Sequence, residues 1–391
     1  MSRLNDLIRK FCPNGVLYKQ FDEACTLNAR IGWQRLTKAE HKETGDYLLI
    51  TGTDFTATHE INYDTCVYVD KERYDQDSKI QIRDGDVLIT KDGTLGKVAQ
   101  VHELPMPATL NGGVFVVRPK DNLLLPRYIL HFLLSNHFQR VVNRQKTGST
   151  ICHLTQGLFS RLLLPVPPQE VQREIVRILD NFTELTAELT AELTARKKQY
   201  EFYKEHLLTF GDDVRVVPLA DIANIEKGKQ LNKEFLLDAG KYPVFNGGVK
   251  ESGFYSESNC SGDAITVSQG GASAGFVNYQ KTNFWAGAHC FVIYAKEAIS
   301  QRFLYHFIKS KEQKLQLCKY GAGIPALAKK ELDELRVPVL PIDEQKRIAS
   351  VLDRFDALCN DISIGLPAEI EARRKQYEYY RDKLLTFPEK V

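Results

Sequence analysis

The chain has 391 residues, enough for two or three ordinary domains. With 43% hydrophobic and 26% charged residues it reads as globular protein and not as a disordered chain. A formal net charge of only +2 argues against a coating protein that holds nucleic acid by bulk charge, and any such binding must use local basic surfaces.

The opening stretch, MSRLNDLIRKFCPNGV, has no long apolar core and no small-residue cleavage site, so no signal peptide is expected. No apolar run reaches the ~18 residues that a membrane span needs. A polar-aromatic stretch with Arg30, Trp33 and Arg35 leads to a short strand, LLI, which Thr51, Thr53 and Asp54 follow. DVLIT from Asp86 and VFVV from Val114 are β-branched runs bounded by glycine, hence strands. Lys91, Asp92, Thr94 and Lys97 occupy the glycine turn between them. PRYILHFLLSNHFQRVV from Pro126 has the spacing of an amphipathic helix. A polar loop with Arg144, Gln145, Lys146, Thr147, Ser149 and Thr150 comes next.

From about Gln169 to Thr209 one helix is expected, roughly 60 Å long at ~1.5 Å per residue. Val171, Ile175, Ile178, Phe182, Leu185, Leu189 and Leu193 form its apolar stripe. AITVS from Ala264 and CFVIY from Cys290 are further strands, and SQRFLYHFIKSKEQKLQL from Ser300 is a second amphipathic helix. A last helix has Asp343 as its candidate N-cap and a break at Gly365 and Pro367.

The chain repeats itself. LPVPPQEVQREIVRILDNF (from Leu164) matches VPVLPIDEQKRIASVLDRF (from Val337), and ARKKQYEFYKEHLLTF (from Ala195) matches ARRKQYEYYRDKLLTF (from Ala372). The divergent stretches before these blocks echo each other too: GDVLITKDGTLGKV with GDAITVSQGGASAGFV, GGVFVV with GAHCFVI, and TGSTICHL with YGAGIPAL. Approximate internal two-fold symmetry follows, with an antiparallel pair as the natural packing of the long helices. In the second copy the loop candidates are Lys227, Lys229, Gln230, Asn246, Lys250, Ser268, Gln269, Ser273, Lys319 and Tyr320. Arginine and lysine suit phosphates or guanine edges, and asparagine and glutamine suit adenine.

Catalytic signatures are missing. There is no NPPY-like loop for adenine methylation, no GxGxxG turn and no GxxxxGK[ST] loop. The fragments Glu344-Gln345-Lys346 and Glu40-His41-Lys42 resemble part of a nuclease site, but Glu344 falls in a helix's first turn, where acids favour the dipole. The eight cysteines form no CxxC pair or zinc pattern, so they read as reduced, mostly buried thiols. His131 and His306 fall at equivalent places in the repeat, as packing or hydrogen-bonding positions. Arg196-Lys197-Lys198 and Arg373-Arg374-Lys375 read as solvated helix faces or partner-docking surfaces before DNA contacts, and the tyrosines beside them as core or interface.

The two-copy plan, the RKKQYEFY and RRKQYEYYRD blocks and the LTAELTAELTA tract resemble the specificity subunits of type I restriction-modification systems, type IC above all. The resemblance covers essentially the whole chain. It implies an α/β (α+β) fold with two target-recognition domains, 1–165 and 211–338, and two spacer helices, 166–210 and 339–391, forming an antiparallel coiled coil. It implies a cytoplasmic, non-catalytic subunit bound to double-stranded DNA that reads one half of a split target with each domain. Two modification subunits would bring S-adenosylmethionine and methylate adenine. Restriction subunits would bring ATP and magnesium, leaving this chain without cofactor or metal. A fused methyltransferase or nuclease, and a coiled-coil adaptor without DNA binding, are the rival readings.

Overall fold

The computed structural model describes residues 2–34, 36–145, 154–321 and 325–390. The chain forms two compact units, Met1–Ala191 with Glu369–Val391, and Glu192–Ala368.

The first unit is built on two small sheets. One has the order β2 (Cys25–Asn28), β9 (Val114–Pro119), β6 (Val87–Thr90), β7 (Val98–Gln100), antiparallel throughout. The other has the order β4 (Val67–Tyr68), β3 (Leu48–Ile50), β8 (Ala108–Leu110), β5 (Gln81–Ile82), with β3 and β8 parallel. The apolar runs of β6 and β9 are continuous because both faces are covered. Val87, Ile89, Phe115 and Val117 point into a core shared with the helix Pro126–Leu134, while Leu88, Val114 and Val116 point into a core shared with β3 and β8. A ribbon of β1 (Leu17–Gln20) and β10 (Leu163–Val166) closes this unit, and the C-terminal tail pairs beside it at Val16.

The second unit repeats the plan. Its larger sheet runs β12 (Ala223–Lys227), β18 (Cys290–Ala295), β15 (Ala264–Ser268), β16 (Val277–Gln280). The smaller runs β14 (Gly253–Tyr255), β13 (Tyr242–Phe245), β17 (Trp285–Ala286), again with one parallel pair, β13 with β17. The ribbon is β11 (Val216–Pro218) with β19 (Arg336–Pro338).

The helix Gln169–Leu207 is 39 residues long and contributes residues to both units. The last helical stretch is divided as the glycine and proline predict, into Ile342–Asn360 and Leu366–Leu384. Asp343 is not the N-cap expected of it: that place belongs to Pro341, and Asp343 sits in the first turn, where its charge still favours the helix dipole.

Each unit takes the first repeat block from its own copy and the second from the other. In the first unit Phe182 stacks on Tyr380 (5.4 Å between centroids), and in the second Phe355 stacks on Tyr203 (also 5.4 Å). The start of each long helix is fastened by a glutamine with no exposed surface. Gln172 Oε1 accepts from Leu125 N (2.9 Å), and its Nε2 donates to the carbonyls of Leu123 (2.6 Å) and Pro167 (2.7 Å). Gln345 does the same with Ser300 N, Ala298 O and Leu340 O. Gln172→Ala strips partners from three backbone groups, each worth ~1–3 kcal/mol when left unpaired in the interior. A loss of roughly 2–4 kcal/mol in chemical denaturation is therefore expected, against under ~0.5 kcal/mol for a substitution at the exposed Glu188.

Candidate nucleic-acid interface

In each unit four backbone segments are tied together at the ends of the central strands. In the first, Asn111 N donates to Ile50 O (2.9 Å), Lys91 N to Gly113 O (2.8 Å) and Leu154 N to Lys91 O (3.0 Å). In the second, Gly287 N donates to Phe245 O (2.8 Å), Gln269 N to His289 O (2.8 Å) and Leu327 N to Gln269 O (2.7 Å). The turn after the central strand is closed alike in both: Gly96 N reaches Thr90 O (3.0 Å), and Gly275 N reaches Ser268 O (2.8 Å). These two glycines have φ of +79° and +85°, and a Cβ on either would come within 2.9 Å of Val142 or of the Leu315–Gln316 backbone. No other residue fits there without strain.

On this frame the candidate residues divide. In the first unit Thr53, Thr94, Lys97 and Arg144 are exposed, and Thr51, Lys91 and Asp92 are half-buried, with Lys91 Nζ 3.1 Å from the Asp92 carboxylate. Asp54 is buried and staples its loop, accepting from Thr51 N (2.7 Å), Thr51 Oγ1 (2.9 Å) and Thr65 Oγ1 (3.0 Å). In the second unit Lys227, Lys229, Gln230, Lys250 and Tyr320 are exposed, Asn246, Gln269, Ser273 and Lys319 half-buried, and Ser268 buried. Lys319 Nζ donates to Ala272 O at 2.9 Å, and Asn246 Oδ1 accepts from His289 N at 3.2 Å. Trp33 belongs to the short turn Gly32–Gln34. Its side chain and that of Gln145, together with Arg35, Lys146, Thr147, Ser149 and Thr150, lie outside the described residues.

Arg30 is the exception, for it is 4% exposed and sits inside the fold. Its five N–H groups meet Leu110 O, Gln34 O, Gln76 Oε1, Arg73 O and Thr109 Oγ1 at 2.8–3.4 Å. In this arrangement the guanidinium serves the fold, since no donor is left to offer a base or a phosphate. The geometry adds two residues that the sequence reading passed over, Asn111 and the exposed His289, in the turns that enter β9 and β18. Their signal was the echo between GGVFVV, which begins one residue after Asn111, and GAHCFVI, which contains His289.

His131 and His306 prove to be structural. His131 is fully buried, with Nε2 2.9 Å from Asp180 Oδ1 and Nδ1 3.0 Å from Tyr377 Oη, and Arg127 Nε donates to the same carboxylate at 2.8 Å. His306 and Arg302 bind Asp353 in the same way. Burial would push both carboxyls up, but hydrogen bonds from the histidine and arginine outweigh it, taking Asp353 down to about 2 and Asp180 below its ordinary value. Burial also lowers His131, so the neutral ring donates from Nε2 and accepts the Tyr377 hydroxyl at Nδ1. The basic clusters lie on helix faces beside acids one turn away, Arg196 with Glu192, Arg373 with Glu369 and Arg374 with Glu378. Among the described residues no group of three or more His, Cys, Asp or Glu side chains could hold a metal ion, and no helix is long and apolar enough to cross a membrane.

Known proteins share this architecture. The family model of the type I restriction modification DNA specificity domain matches twice, over residues 22–196 and 211–372. A putative type I restriction enzyme specificity subunit of Haemophilus influenzae is 31% identical over 71% of this chain and 76% of its own length. The EcoR124I/EcoR124II specificity subunit of Escherichia coli is 33% identical over 68% of this chain and 72% of its own. In fold, the crystal structure of a type I S subunit from M. genitalium aligns with a TM-score of 0.65 at 18% identity, over 95% of this chain and 96% of that one. The chain belongs to the family of type I restriction-modification specificity subunits. It is a DNA specificity subunit, the targeting component of a multi-subunit enzyme complex.

Because His131 is held neutral and lowered, the unfolded chain binds the extra proton first as pH falls below ~6.5. Stability from this site is full above that pH and is lost as pH falls toward the folded value. The excess melting temperature of wild type over His131→Gln should therefore shrink between pH 7 and pH 5; a gap that widened would contradict a buried neutral ring.

Proposed function

We propose that this subunit reads a bipartite, asymmetric DNA target, one half-site per α/β unit. It thereby directs adenine methylation by two modification subunits and cleavage by restriction subunits. The observation that carries the reading is the turn cluster built twice with the same backbone bonds and different side chains. Lys91 and Gly113 stand in one unit where Gln269 and His289 stand in the other. A constant frame with exchanged side chains suits two readers of different base sequences, since base edges are told apart by donor and acceptor pattern. The exposed Lys97 in the first unit and Lys227, Lys229 and Lys250 in the second suit phosphate contacts, which fix register without reading sequence.

The segments 1–165 and 211–338 act as target-recognition domains, with 166–210 and 339–391 as spacer helices paired antiparallel. The LTAELTAELTA tract resembles that of type IC subunits, which supports the type IC reading. S-adenosylmethionine enters with the modification subunits and ATP and magnesium with the restriction subunits, while this chain takes no cofactor. Its place of work is the cytoplasm, with the DNA.

Exchange of residues 1–164 for the first domain of another member tests the reading. Methylome sequencing should show one half-site changed and the other kept; a change in both would refute independent readers.

The tract from Leu185 to Ala195 sets the unread gap. Ala, Glu and Leu are strong helix formers, and that alone would explain their recurrence. Geometry adds a reason. Four residues turn a helix by ~400°, a net ~40°, and lengthen it by ~6 Å. One base pair turns DNA by ~35° and advances it ~3.4 Å. One extra TAEL unit should therefore widen the methylated target's gap by about one base pair. A two-residue insertion, which rotates the distal part by ~200°, should abolish methylation. An unchanged gap in the TAEL variant would refute the ruler.

A further inference from the structure

The first unit carries a basic stripe on one helix, and its central arginine is not consumed by the fold. The helix Asn136–Gln145 reads NHFQRVVNRQ and holds no acidic residue. Phe138 and Val142 lie on one face and are fully buried. At ~100° per residue, His137, Arg140 and Arg144 fall within about 60° of one another on the opposite face, and all three are exposed. The three line one open cleft of about 470 Å³. Its one acidic lining residue, Asp382, is already engaged by Asn136 N (3.0 Å), Asn136 Nδ2 (2.6 Å) and Arg381 (3.2 Å). Among the described residues Arg140 has no hydrogen-bond or ion-pair partner, whereas Arg118 and Arg127 of the same unit are both paired.

The helix is docked on the turn cluster. Gln139 Nε2 donates to Gly96 O at 3.0 Å, and Val142 packs where a Gly96 Cβ would be. Lys97, exposed, is the next residue along that turn. Among the described residues the second unit has no arginine on the corresponding helix, where Lys314 is the one basic residue. A six-residue helix, Glu312–Leu317, stands against Gly275 there, and its Glu312 carboxylate is taken up by Lys309 (2.6 Å) and Val277 N (2.7 Å).

We propose that Arg140, with His137 on the same stripe and Lys97 across the Gly96 contact, anchors the DNA backbone beside the half-site of the first unit. The ligand is a phosphodiester, which the planar guanidinium can grip through two N–H groups. The proposal rests on the two-reader function above, and it assigns Arg140 to affinity and register instead of base choice.

The test uses the subunit assembled with its modification subunits. Equilibrium binding to a cognate duplex and to a random-sequence duplex is measured over a range of salt, for wild type, Arg140→Gln and Arg140→Lys. Arg140→Gln should weaken both duplexes alike, by about tenfold, and should reduce the slope of log K against log salt by ~0.9. Arg140→Lys should restore most of the slope, and melting temperatures should stay together because Arg140 makes no contact that the fold needs. A wild-type slope in Arg140→Gln, or a changed base preference at one half-site, would overturn the proposal. So would weaker assembly with the modification subunits at unchanged DNA affinity, which would assign the stripe to an acidic protein surface. Failure of the two-reader function would show separately, as a wild-type complex with no preference for a split target, while the random-duplex slopes would still decide the role of Arg140.

Discussion

Each long helix is fastened to its α/β unit by polar groups sealed from water. Gln172 and Gln345 each satisfy backbone groups on both sides of a junction, and an aspartate about two turns further on, held by a histidine and an arginine of a neighbouring helix, repeats the fastening. Apolar packing alone would let a helix roll or slide by a residue at little cost, because an apolar stripe has no direction. A glutamine that must meet one N–H and two carbonyls has a single solution, and leaving any of them unmet in the interior is expensive. The register of the helix on its unit is therefore set by hydrogen bonds.

The same division of labour runs through the turn cluster. Its backbone bonds are nearly identical in the two units, while the side chains they present are not. Backbone-to-backbone ties are indifferent to side-chain identity, so the side chains of these turns can be exchanged without disturbing the frame. The two glycines at the close approach are the exception, since Gly96 and Gly275 meet atoms that leave no room for a Cβ. Side chains can vary at the positions of such a turn except the ones that hold it shut.

Much of this was legible in the sequence, for reasons particular residues make plain. The strands β6, β9, β15 and β18 announced themselves because both faces are buried, which gives continuous apolar runs between glycines. The repeat disclosed the equivalence of His131 with His306. Arg30 was not legible, because its partners Gln34, Arg73, Gln76, Thr109 and Leu110 are brought to it only by the folded chain. A surface arginine and a sealed one look alike in a polar stretch. Asp343 misled because a good capping residue stood two places from a proline that ends the preceding extended segment.

The exchange of the second repeat block was also hidden, and it has a structural consequence. Tyr377, Leu384 and Phe387 from the second copy complete the core of the first unit, and Tyr200 and Leu208 from the first copy complete that of the second. Neither copy encloses its own core. Tyr377 shows how deep the dependence goes: its hydroxyl meets the Nδ1 of a buried, neutral His131, which would otherwise be an acceptor without a donor. The Asp180 carboxylate on the other side of that ring is oriented by the same contact. The fastening of the first long helix thus includes a residue nearly two hundred positions away in the chain, supplied by the other repeat.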